Sequence, residues 1–423
     1  MKETTDTYLL ANGLRVLIMP AETDVVYAGI AVATGTRHET DCESGMAHLV
    51  EHMSFKGTIK HSATQIINRM EGVGGDLNAY TGKEETIYYA TFMREHLRRA
   101  VPLLMEMVFN STYPQEELER EVEVVADEIE SYNDAPAELI YDDFEELLFP
   151  NHPLGRRILG EAERLRQYTS DDLHRFVRRQ YSPEKAVLFV KGNVSKETVF
   201  NVVRSACGMA KAALQRIGQM SSLIISDSLL PFATPQTSII HKEVHQAHVM
   251  IGAQAFSLQD SRYYGLFLLN NLLGGPAMSS RLNLALRERA GLVYTVGSDL
   301  TAYTDTGVWS VYFGCDAGDV KRCLRLVHHE LKKLMEKPLS ARSLKVAKEQ
   351  LKGQMGIGRN NFENVALSAA KQFLHYGYVR KPEEINAAID ALTAEDLQAI
   401  AQDVFRLERL TTLVYLPKEQ HDN

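Results

Sequence analysis

The sequence predicts an α+β fold made of two similar domains that are related by internal duplication. Predicted strands and helices come in blocks rather than in strict alternation, which favours α+β over a wound α/β sheet. The second half of the chain repeats the order of blocks found in the first half. The 423 residues also exceed the usual size of a single hydrophobic core. We therefore expect an N-terminal domain at 1–210, a linker at 211–236 and a C-terminal domain at 237–423.

In the first half, apolar periodicity and turn residues define the predicted elements. Asn12-Gly13 lies between two apolar runs and predicts a hairpin at 8–19. Ser62 and Gln65 have the spacing of a capping box at a helix start. The remaining predicted elements are strands at 25–34, 76–81, 85–92 and 186–194, and helices at 44–55, 62–70, 95–109, 116–132, 137–148 and from about 195 to Cys207.

The predicted linker is the segment in which both periodicities fade. It contains the turn-forming residues Gly218, Ser221, Ser222, Pro231 and Pro235. After it, the pattern of strands, helix, hairpin and long helices begins again. The predicted elements there are strands at 237–244, 246–255, 293–303, 306–315 and 411–416, and helices at 261–273, 279–289 and between 320 and 403.

Charge and composition exclude some functional classes. The formal net charge of -9 leaves no basic excess to neutralise phosphates, so we expect no nucleic-acid partner. The N-terminus, MKETTDTYLLANGLRVL, lacks the apolar core of a signal peptide. No apolar run of about 18 residues, the length of a membrane span, occurs elsewhere. The sequence therefore predicts a cytoplasmic protein without a membrane partner.

The pentapeptide His48-Leu49-Val50-Glu51-His52 is the most informative motif of the chain. On a helix the two histidines lie four residues apart and share one face, and Glu51 lies beside them. The apolar side chains face the other way: Met46, Leu49, Val50 and Met53. Two neutral imidazoles suit zinc, which in a catalytic site needs a third protein ligand and an open position for water. A neighbouring carboxylate can take the proton of that water, and H-x-x-E-H is the signature of inverzincin metallopeptidases.

The helix at 116–132 offers candidates for the third ligand. Its apolar stripe predicts the buried face: Leu118, Val122, Val125 and Ile129. Glu121 and Glu128 lie two turns apart on one flank of this stripe and can face the same cleft. Asp127 lies opposite the stripe and is expected in water. Periodicity favours Glu128 as the ligand and Glu121 as its supporting neighbour, although an ordinary solvated face has the same pattern.

These motifs resemble the pitrilysin-type zinc metallopeptidases, in particular the branch similar to the mitochondrial processing peptidase. The stretch SGMAHLVEHMSFKGT (44–58) is similar to the zinc helix of the family, and EREVEVVADEIESYNDAP (119–136) to the helix of its third ligand. The spacing of 76 positions from His52 implies that Glu128 is the ligand. The supporting glutamate seven positions earlier is Glu121, which the resemblance places in the catalytic centre with Glu51.

The resemblance also implies residues that bind the substrate. GGDLNAYTGKEETIYYA (74–90) is similar to the edge strand on which the family docks an extended peptide, and Asn78 and Ala79 match its NA pair. Without the resemblance, an ordinary hairpin would be the simpler interpretation. GGPAMSSRLNLALRERAGLVYTVGS (274–298) is similar to the C-terminal motif of the family. Arg287 and Tyr294 match its Arg–Tyr pair, for which the family implies catalytic and substrate-binding roles.

The resemblance further implies a clamshell of two domains around a chamber for short or unfolded peptides. The second half is a degenerate copy, because aligning 264–273 with 44–53 puts Leu268, Asn271 and Leu272 where the motif has His, Glu and His. Such a copy lacks zinc ligands, so we expect one Zn²⁺ per chain. The sequence leaves open whether manganese or cobalt can replace zinc in vitro.

The partners and two alternative functions stay open at this stage. The chain could form a homodimer or a heterodimer with a related chain, and the Arg–Tyr pair could act in its own chain or from a partner. One alternative is a structural subunit of the same fold, although such subunits typically lose ligands that this sequence keeps. The other is a peptide-binding or chaperone-like module, which would not need Glu51.

Overall fold

A computed structural model describes residues 5–206, 215–216 and 234–418. Within these residues the chain forms two compact units. The first draws its residues from Met1–Glu130, Arg156–Ile224 and Arg359–Val379, and the second from Ser131–Gly155, Ile225–Gly358 and Arg380–Asn423. The units are therefore not contiguous halves, since each takes a segment from the other half of the chain. Most of the predicted linker at 211–236 lies outside the described residues.

The first unit contains a seven-stranded sheet with the order β4-β5-β3-β6-β2-β1-β7. Its strands are β1 (Asp6–Leu9), β2 (Arg15–Pro20), β3 (Val25–Val32), β4 (Asp76–Thr81), β5 (Thr86–Met93), β6 (Ala186–Gly192) and β7 (Gln215–Arg216). The predicted hairpin at Asn12-Gly13 is confirmed, because β1 and β2 pair in antiparallel fashion around it. Gly13 has a φ of 86°, a left-handed conformation that favours glycine.

Helices of the first half occur close to the predicted positions. They are α1 (Met46–Met53), α2 (Ala63–Glu71), α3 (Leu97–Phe109), α4 (Gln115–Asn133), α5 (Pro136–Leu148), α6 (Ala162–Leu165), α7 (Ser170–Gln180) and α8 (Lys196–Ala206). The predicted capping box is confirmed at the start of α2, where Ser62 N donates to Gln65 Oε1 at 3.0 Å. The sequence did not predict α6 and α7.

The second unit contains a five-stranded sheet with the order β10-β11-β9-β12-β8. Its strands are β8 (Thr237–Lys242), β9 (Ala247–Ala255), β10 (Val293–Ala302), β11 (Gly307–Cys315) and β12 (Thr411–Pro417). The helices of the second half are α9 (Tyr263–Gly274), α10 (Val320–Glu336), α11 (Ala341–Gly358), α12 (Phe362–Tyr376), α13 (Pro382–Ala391) and α14 (Ala394–Val404).

The pairing pattern confirms two similar α+β domains. In the first sheet β2 pairs with β6 in parallel, and β6–β3, β3–β5 and β5–β4 are antiparallel. In the second sheet β8 pairs with β12 in parallel, and β12–β9, β9–β11 and β11–β10 are antiparallel. The two sheets thus share five strands with the same order and directions, as internal duplication requires.

One helix differs from its prediction. The sequence predicts an α-helix at 279–289, whereas the structure has a π-helix at Asn283–Glu288. Its wider turn is closed by Arg289 N, which donates to Leu284 O at 3.1 Å. Periodicity does not reveal such a turn, because one extra residue shifts the apolar pattern only locally. π-helical turns are often found at functional sites.

Each sheet has one face covered by a helix from the other half of the chain. In the first unit, α12 packs its small face of Ala366, Ala369 and Ala370 on the sheet. Arg15 of β2 fixes the end of α12, since its Nη1 donates to Phe373 O at 3.1 Å and to Leu374 O at 2.9 Å. In the second unit, α5 covers the sheet in the same way. Burial of these apolar faces explains why each unit includes a helix from the other half of the chain.

Candidate metal centre

The helix α1 owes its start to two residues that hold its N-terminus. Gly45 precedes it with a φ of 78°, a conformation that side chains with a Cβ adopt rarely. The carboxylate of Glu39 is buried and accepts hydrogen bonds from Ala47 N at 2.8 Å and from Gly45 N at 3.3 Å. These bonds satisfy backbone amides that a helix start leaves without partners. The first turn of α1 is therefore fixed in position.

His48, His52 and Glu128 come together in the first unit. One ligand atom from each lies within 4.8 Å of the others. The two imidazole rings have their centroids 4.5 Å apart, and His52 Nε2 lies 3.6 Å from Glu128 Oε2. His48 is buried, His52 is half-buried and Glu128 is exposed. Two imidazoles and one carboxylate that leave an exposed side suit a catalytic zinc.

Glu121 contacts this cluster from behind. Its Oε1 lies 2.9 Å from His52 Nδ1, and its Oε2 pairs with Lys56 Nζ at 2.6 Å. If His52 Nδ1 carries the proton, it donates to Glu121 and the Nε2 lone pair points toward Glu128. A carboxylate behind a ligating histidine fixes its tautomer and ring orientation in this way.

Burial and charge shift the pKa values of the centre. Burial and the neighbouring His52 lower the pKa of His48 to about 3, which keeps its imidazole neutral. Burial alone would lower the pKa of His52, but the bond to Glu121 and nearby carboxylates raise it. Burial raises the pKa of Glu51 although a bond from Thr81 opposes this. The centre is thus rich in carboxylates around imidazoles, which favours a divalent cation.

Glu51 lies on the same helix as the two histidines and is buried. Its Oε2 accepts a hydrogen bond from Thr81 Oγ1 at 2.6 Å. Thr81 is the last residue of β4, so this bond joins the motif helix to the end of a strand. The side chain predicted as the general base is therefore ordered beside the cluster.

The strand β4 forms one edge of the first sheet. It pairs with β5 on one side, with Asn78 opposite Tyr89 and Ala79 opposite Tyr88. No other strand pairs with it in the part of the chain that the structure describes. Asn78 is exposed and Ala79 is half-buried. The free edge has the backbone groups that an added peptide strand would bond.

Arg287 and Tyr294 belong to the second unit. Arg287 lies in the π-helix and is exposed. Tyr294 lies on the edge strand β10 and is 88% exposed, which is unusual for a large aromatic side chain. Neither side chain is needed for the core of its own unit. Their exposure leaves both available to a ligand.

The donor set fits a metal on two grounds. Nδ1 of His48 is buried and has no hydrogen-bond partner among the described residues. Buried polar atoms of this kind are rarely left unsatisfied in an ordinary core. The cluster is also the one group of three or more metal-ligating side chains found within the described ranges. In the second unit, the helix α9 buries Leu268 and Asn271 at the aligned positions.

Sequence reasoning missed Glu39, Lys56 and Thr81. Glu39 precedes α1 in a polar loop, where distance along the chain does not reveal a cap. Lys56 follows the helix, and its reach to Glu121 depends on how α1 and α4 cross. Thr81 ends a strand, and only the fold brings that strand end to Glu51. No local pattern identifies these contacts, because all three depend on long-range packing.

No helix within residues 5–206 and 234–418 combines the length and apolar character needed to cross a membrane.

Two family models match consecutive parts of the chain. The model described as Insulinase (Peptidase family M16) matches residues 15–162, and the one described as Peptidase M16 inactive domain matches residues 167–351. The first match contains the whole histidine and glutamate cluster, and the second contains Arg287 and Tyr294. The candidate metal ligands therefore all lie within the first match.

Similar proteins extend the match to almost the full length. A Bacillus subtilis protein named uncharacterized zinc protease YmxG is 32% identical over 408 residues, which cover 96% of this chain and 97% of that protein. A Streptomyces coelicolor protein that is also named an uncharacterized zinc protease is 31% identical over 404 residues, covering 93% of this chain and 86% of that protein.

Solved structures show the same two-domain fold. A protease from Helicobacter pylori has a TM-score of 0.88 at 22% identity, with 98% of this chain and 100% of that chain covered. A peptidase M16 inactive domain from Pseudomonas fluorescens has a TM-score of 0.84 at 19% identity, with 98% of both chains covered. With relatives above 30% identity along nearly its whole length and both family models matched in order, this chain belongs to peptidase family M16.

Proposed function

We propose that this protein is a zinc-dependent endopeptidase that hydrolyses short or unfolded peptides bound in extended form. The observation that carries the proposal is the position of Glu51, which shares a helix with His48 and His52 and lies close enough to His52 and Glu128 for their charges to affect its pKa. A structural subunit or a peptide-binding module would need no ordered carboxylate there. The names of the relatives, zinc proteases, support the same activity.

In the proposed mechanism, His48, His52 and Glu128 hold one zinc ion per chain. Bound zinc supplies a water of lowered pKa and polarises the scissile carbonyl. Glu51 removes the proton of the attacking water through its free Oε1 and later delivers it to the leaving amine. Glu121 acts through His52, whose ring it orients, and is therefore a positioning residue rather than a group that touches the substrate.

The proposed substrate contacts lie on β4 and in the second unit. Backbone groups at Asn78 and Ala79 bond the peptide main chain, so that peptides of varied sequence bind in the same extended form. Arg287 and Tyr294 are the further residues that we propose to contact the peptide. We also predict a cytoplasmic location and either a homodimer or a heterodimer with a related chain. Sedimentation of the protein with and without a candidate partner distinguishes the homodimer from the heterodimer.

Zinc content and peptide cleavage together test this proposal. We expect about one zinc per wild-type chain, with loss of zinc in Glu128→Gln and in His52→Ala. The Glu51→Gln variant should keep zinc and bind peptide while hydrolysis is abolished, because only the base is removed. Purified wild type that lacks zinc and gains neither occupancy nor cleavage when zinc is added would favour a structural subunit. Unchanged hydrolysis in Glu51→Gln would refute the role of Glu51.

A further inference from the structure

The end of β4 makes a hydrogen bond to Glu51, the proposed general base. Thr81 is 9% exposed, and its hydroxyl donates to Glu51 Oε2 at 2.6 Å. No other hydrogen bond reaches this carboxylate from the described part of the chain. A hydroxyl group has one proton, and a bond to an ionised carboxylate is among the stronger kinds. The bond therefore fixes one oxygen of Glu51 and leaves Oε1 for another donor.

The neighbouring hydroxyl group fixes the direction of this bond. Thr86 faces Thr81 across the last pair of the β4–β5 hairpin, with the two Oγ1 atoms 3.4 Å apart. Thr86 Oγ1 donates its own proton to Thr34 O at 2.8 Å. With that proton used, Thr86 does not compete for Glu51. The Thr81 proton is directed to the carboxylate, and the hydrogen bonds form an ordered network.

The turn that follows Thr81 is anchored by ion pairs of two buried glutamates. Glu84 pairs with Arg37 at 2.6 Å, and Glu85 pairs with Lys371 at 2.7 Å. Both glutamates are buried, although charged side chains in hairpin turns are usually solvated. A turn held in this way cannot move without breaking these charged contacts. The position of the Thr81 hydroxyl is thus determined by the fold on both sides.

We propose that Thr81 is a positioning residue for the general base, which orients Glu51 so that Oε1 faces the attacking water. The proposal rests on the proposed peptidase function and adds a residue to it. Thr81 is also the last residue of the strand on which we propose that the peptide docks. The same residue therefore fixes the position of the Glu51 carboxylate relative to the bound peptide backbone. Such alignment raises the rate of the chemical step without changing the affinity for substrate.

Two substitutions and one matched control separate this role from simple packing. Thr81→Val keeps the shape of the side chain and removes the hydroxyl, and Thr81→Ser keeps the hydroxyl. Thr58→Val is the control, because Thr58 also donates to a buried glutamate, Glu106, at 2.5 Å and lies outside the centre. Each variant is compared with wild type for zinc content, unfolding midpoint, and kcat and KM on an internally quenched fluorescent peptide.

We expect Thr81→Val to lower kcat by about 10- to 100-fold, the range of a lost bond to a charged group. Its KM and zinc content should stay within about twofold of wild type, because neither ligands nor strand backbone change. Thr81→Ser should recover most of the rate. Thr58→Val should lower the unfolding midpoint by a similar amount to Thr81→Val and leave kcat near wild type.

The affinity of the same peptide for Glu51→Gln and for Glu51→Gln with Thr81→Val provides a second readout. Equal dissociation constants support a role through the base alone. A kcat of Thr81→Val within twofold of wild type overturns the proposal, and so does a parallel loss of zinc or of peptide affinity. In both cases the peptidase function stands, provided that wild type cleaves the peptide with zinc bound. A wild-type chain that holds zinc and cleaves nothing refutes the peptidase function itself, and this role with it.

Discussion

In each unit a helix packs beside an edge strand, and we call this place the corner of the unit. The two corners have the same arrangement of helix and strand but different side chains. In the first unit α1 packs beside the edge strand β4 and carries two histidines and a glutamate. In the second unit α9 packs beside the edge strand β10, with Leu268 and Leu272 in place of the histidines and Asn271 in place of the glutamate. The duplicated scaffold therefore does not itself create the centre.

The hydrogen bonds between the helix and the edge strand also differ between the two units. In the second unit Asn270 Nδ2 donates to Ser298 O at 3.1 Å, and Ser298 Oγ donates to Asn270 O at 2.9 Å. A Cβ on Gly274 would lie 2.5 Å from Ser298 N, so helix and strand are in close contact there. In the first unit the strand end contacts the helix through Thr81 and Glu51 instead. In the second unit, mutual hydrogen bonds join the helix to the strand. In the first unit, the contact between them orders the carboxylate of Glu51.

The largest effect on zinc content should come from replacing a histidine of α1 by the residue at the aligned position of α9. His48→Leu removes a proposed ligand and matches Leu268, so zinc content should fall from about one per chain to none. Leucine fits a buried site, and α1 should remain folded. The measurement is elemental analysis after dialysis, with His329→Leu on the exposed face of α10 as control. Full zinc occupancy in His48→Leu would contradict the assigned ligand set.

The second prediction concerns the hairpin turns that follow the two edge strands. The turn after β4 contains Glu85, which is buried and pairs with Lys371 at 2.7 Å and His375 at 3.0 Å. Burial alone would raise the pKa of Glu85, but the bonds and charges of these two partners lower it from 4.5 to about 2. The turn after β10 is bonded differently, since Tyr303 OH donates to Glu145 Oε1 at 2.6 Å.

Because the pKa of Glu85 is lower in the folded state, its contribution to stability is present above about pH 4.5 and is lost as the pH falls toward 2. Glu85→Gln should therefore lower the free energy of unfolding at pH 7 by on the order of 3 kcal/mol. The difference from wild type should shrink below pH 4.5. Hydrogen exchange of β5 and α12 measures this, with exposed Glu71→Gln as control. A difference that is constant from pH 7 to 3 would show that the ion pairs do not act as described.

A smaller effect is expected from the carboxylate behind His52. Glu121→Gln weakens the bond that orients the ring and leaves Lys56 without its partner, so zinc affinity should fall by about 10- to 100-fold. Competition with a chromogenic chelator measures this affinity directly. Glu123→Gln on the same helix is the matched control, since its pair with Arg166 is exposed. Equal zinc affinities in the two variants would remove Glu121 from the centre.

Local patterns were enough to predict most strands and helices and the H-x-x-E-H motif, which the second unit lacks. They did not predict α6, α7 or the π-helix. The hairpin at Asn12-Gly13, the capping box at Ser62 and the strands of both edges depend on residues near in sequence, and the structure confirms them. The wheel of α4 also placed Glu121 and Glu128 on one flank, and both lie near His52.

Contacts between distant segments could not be predicted from such patterns. The helices α5 and α12 each pack on the sheet of the other half of the chain. Their apolar faces could fit either sheet, and periodicity shows only that a face is apolar. Thr81 and Glu39 reach α1 because the sheet and loop bring them there. Residues that support a centre are therefore less visible in one sequence than the ligands, whose chemical types are restricted.

The smallest effect should occur in the second unit and leave the first unchanged. Ser298→Ala removes one of the two bonds between α9 and β10 and leaves Asn270 O buried, which should cost about 1–2 kcal/mol. Trp309, the single tryptophan of the chain, is fully buried on β11, so its fluorescence during urea unfolding reports on this unit. Exposed Ser279→Ala is the control. Zinc content should equal that of wild type in both variants, because the three proposed ligands all lie in the first unit. Loss of zinc from Ser298→Ala would mean that the centre depends on the corner of the second unit, and the two corners could then no longer be treated as independent.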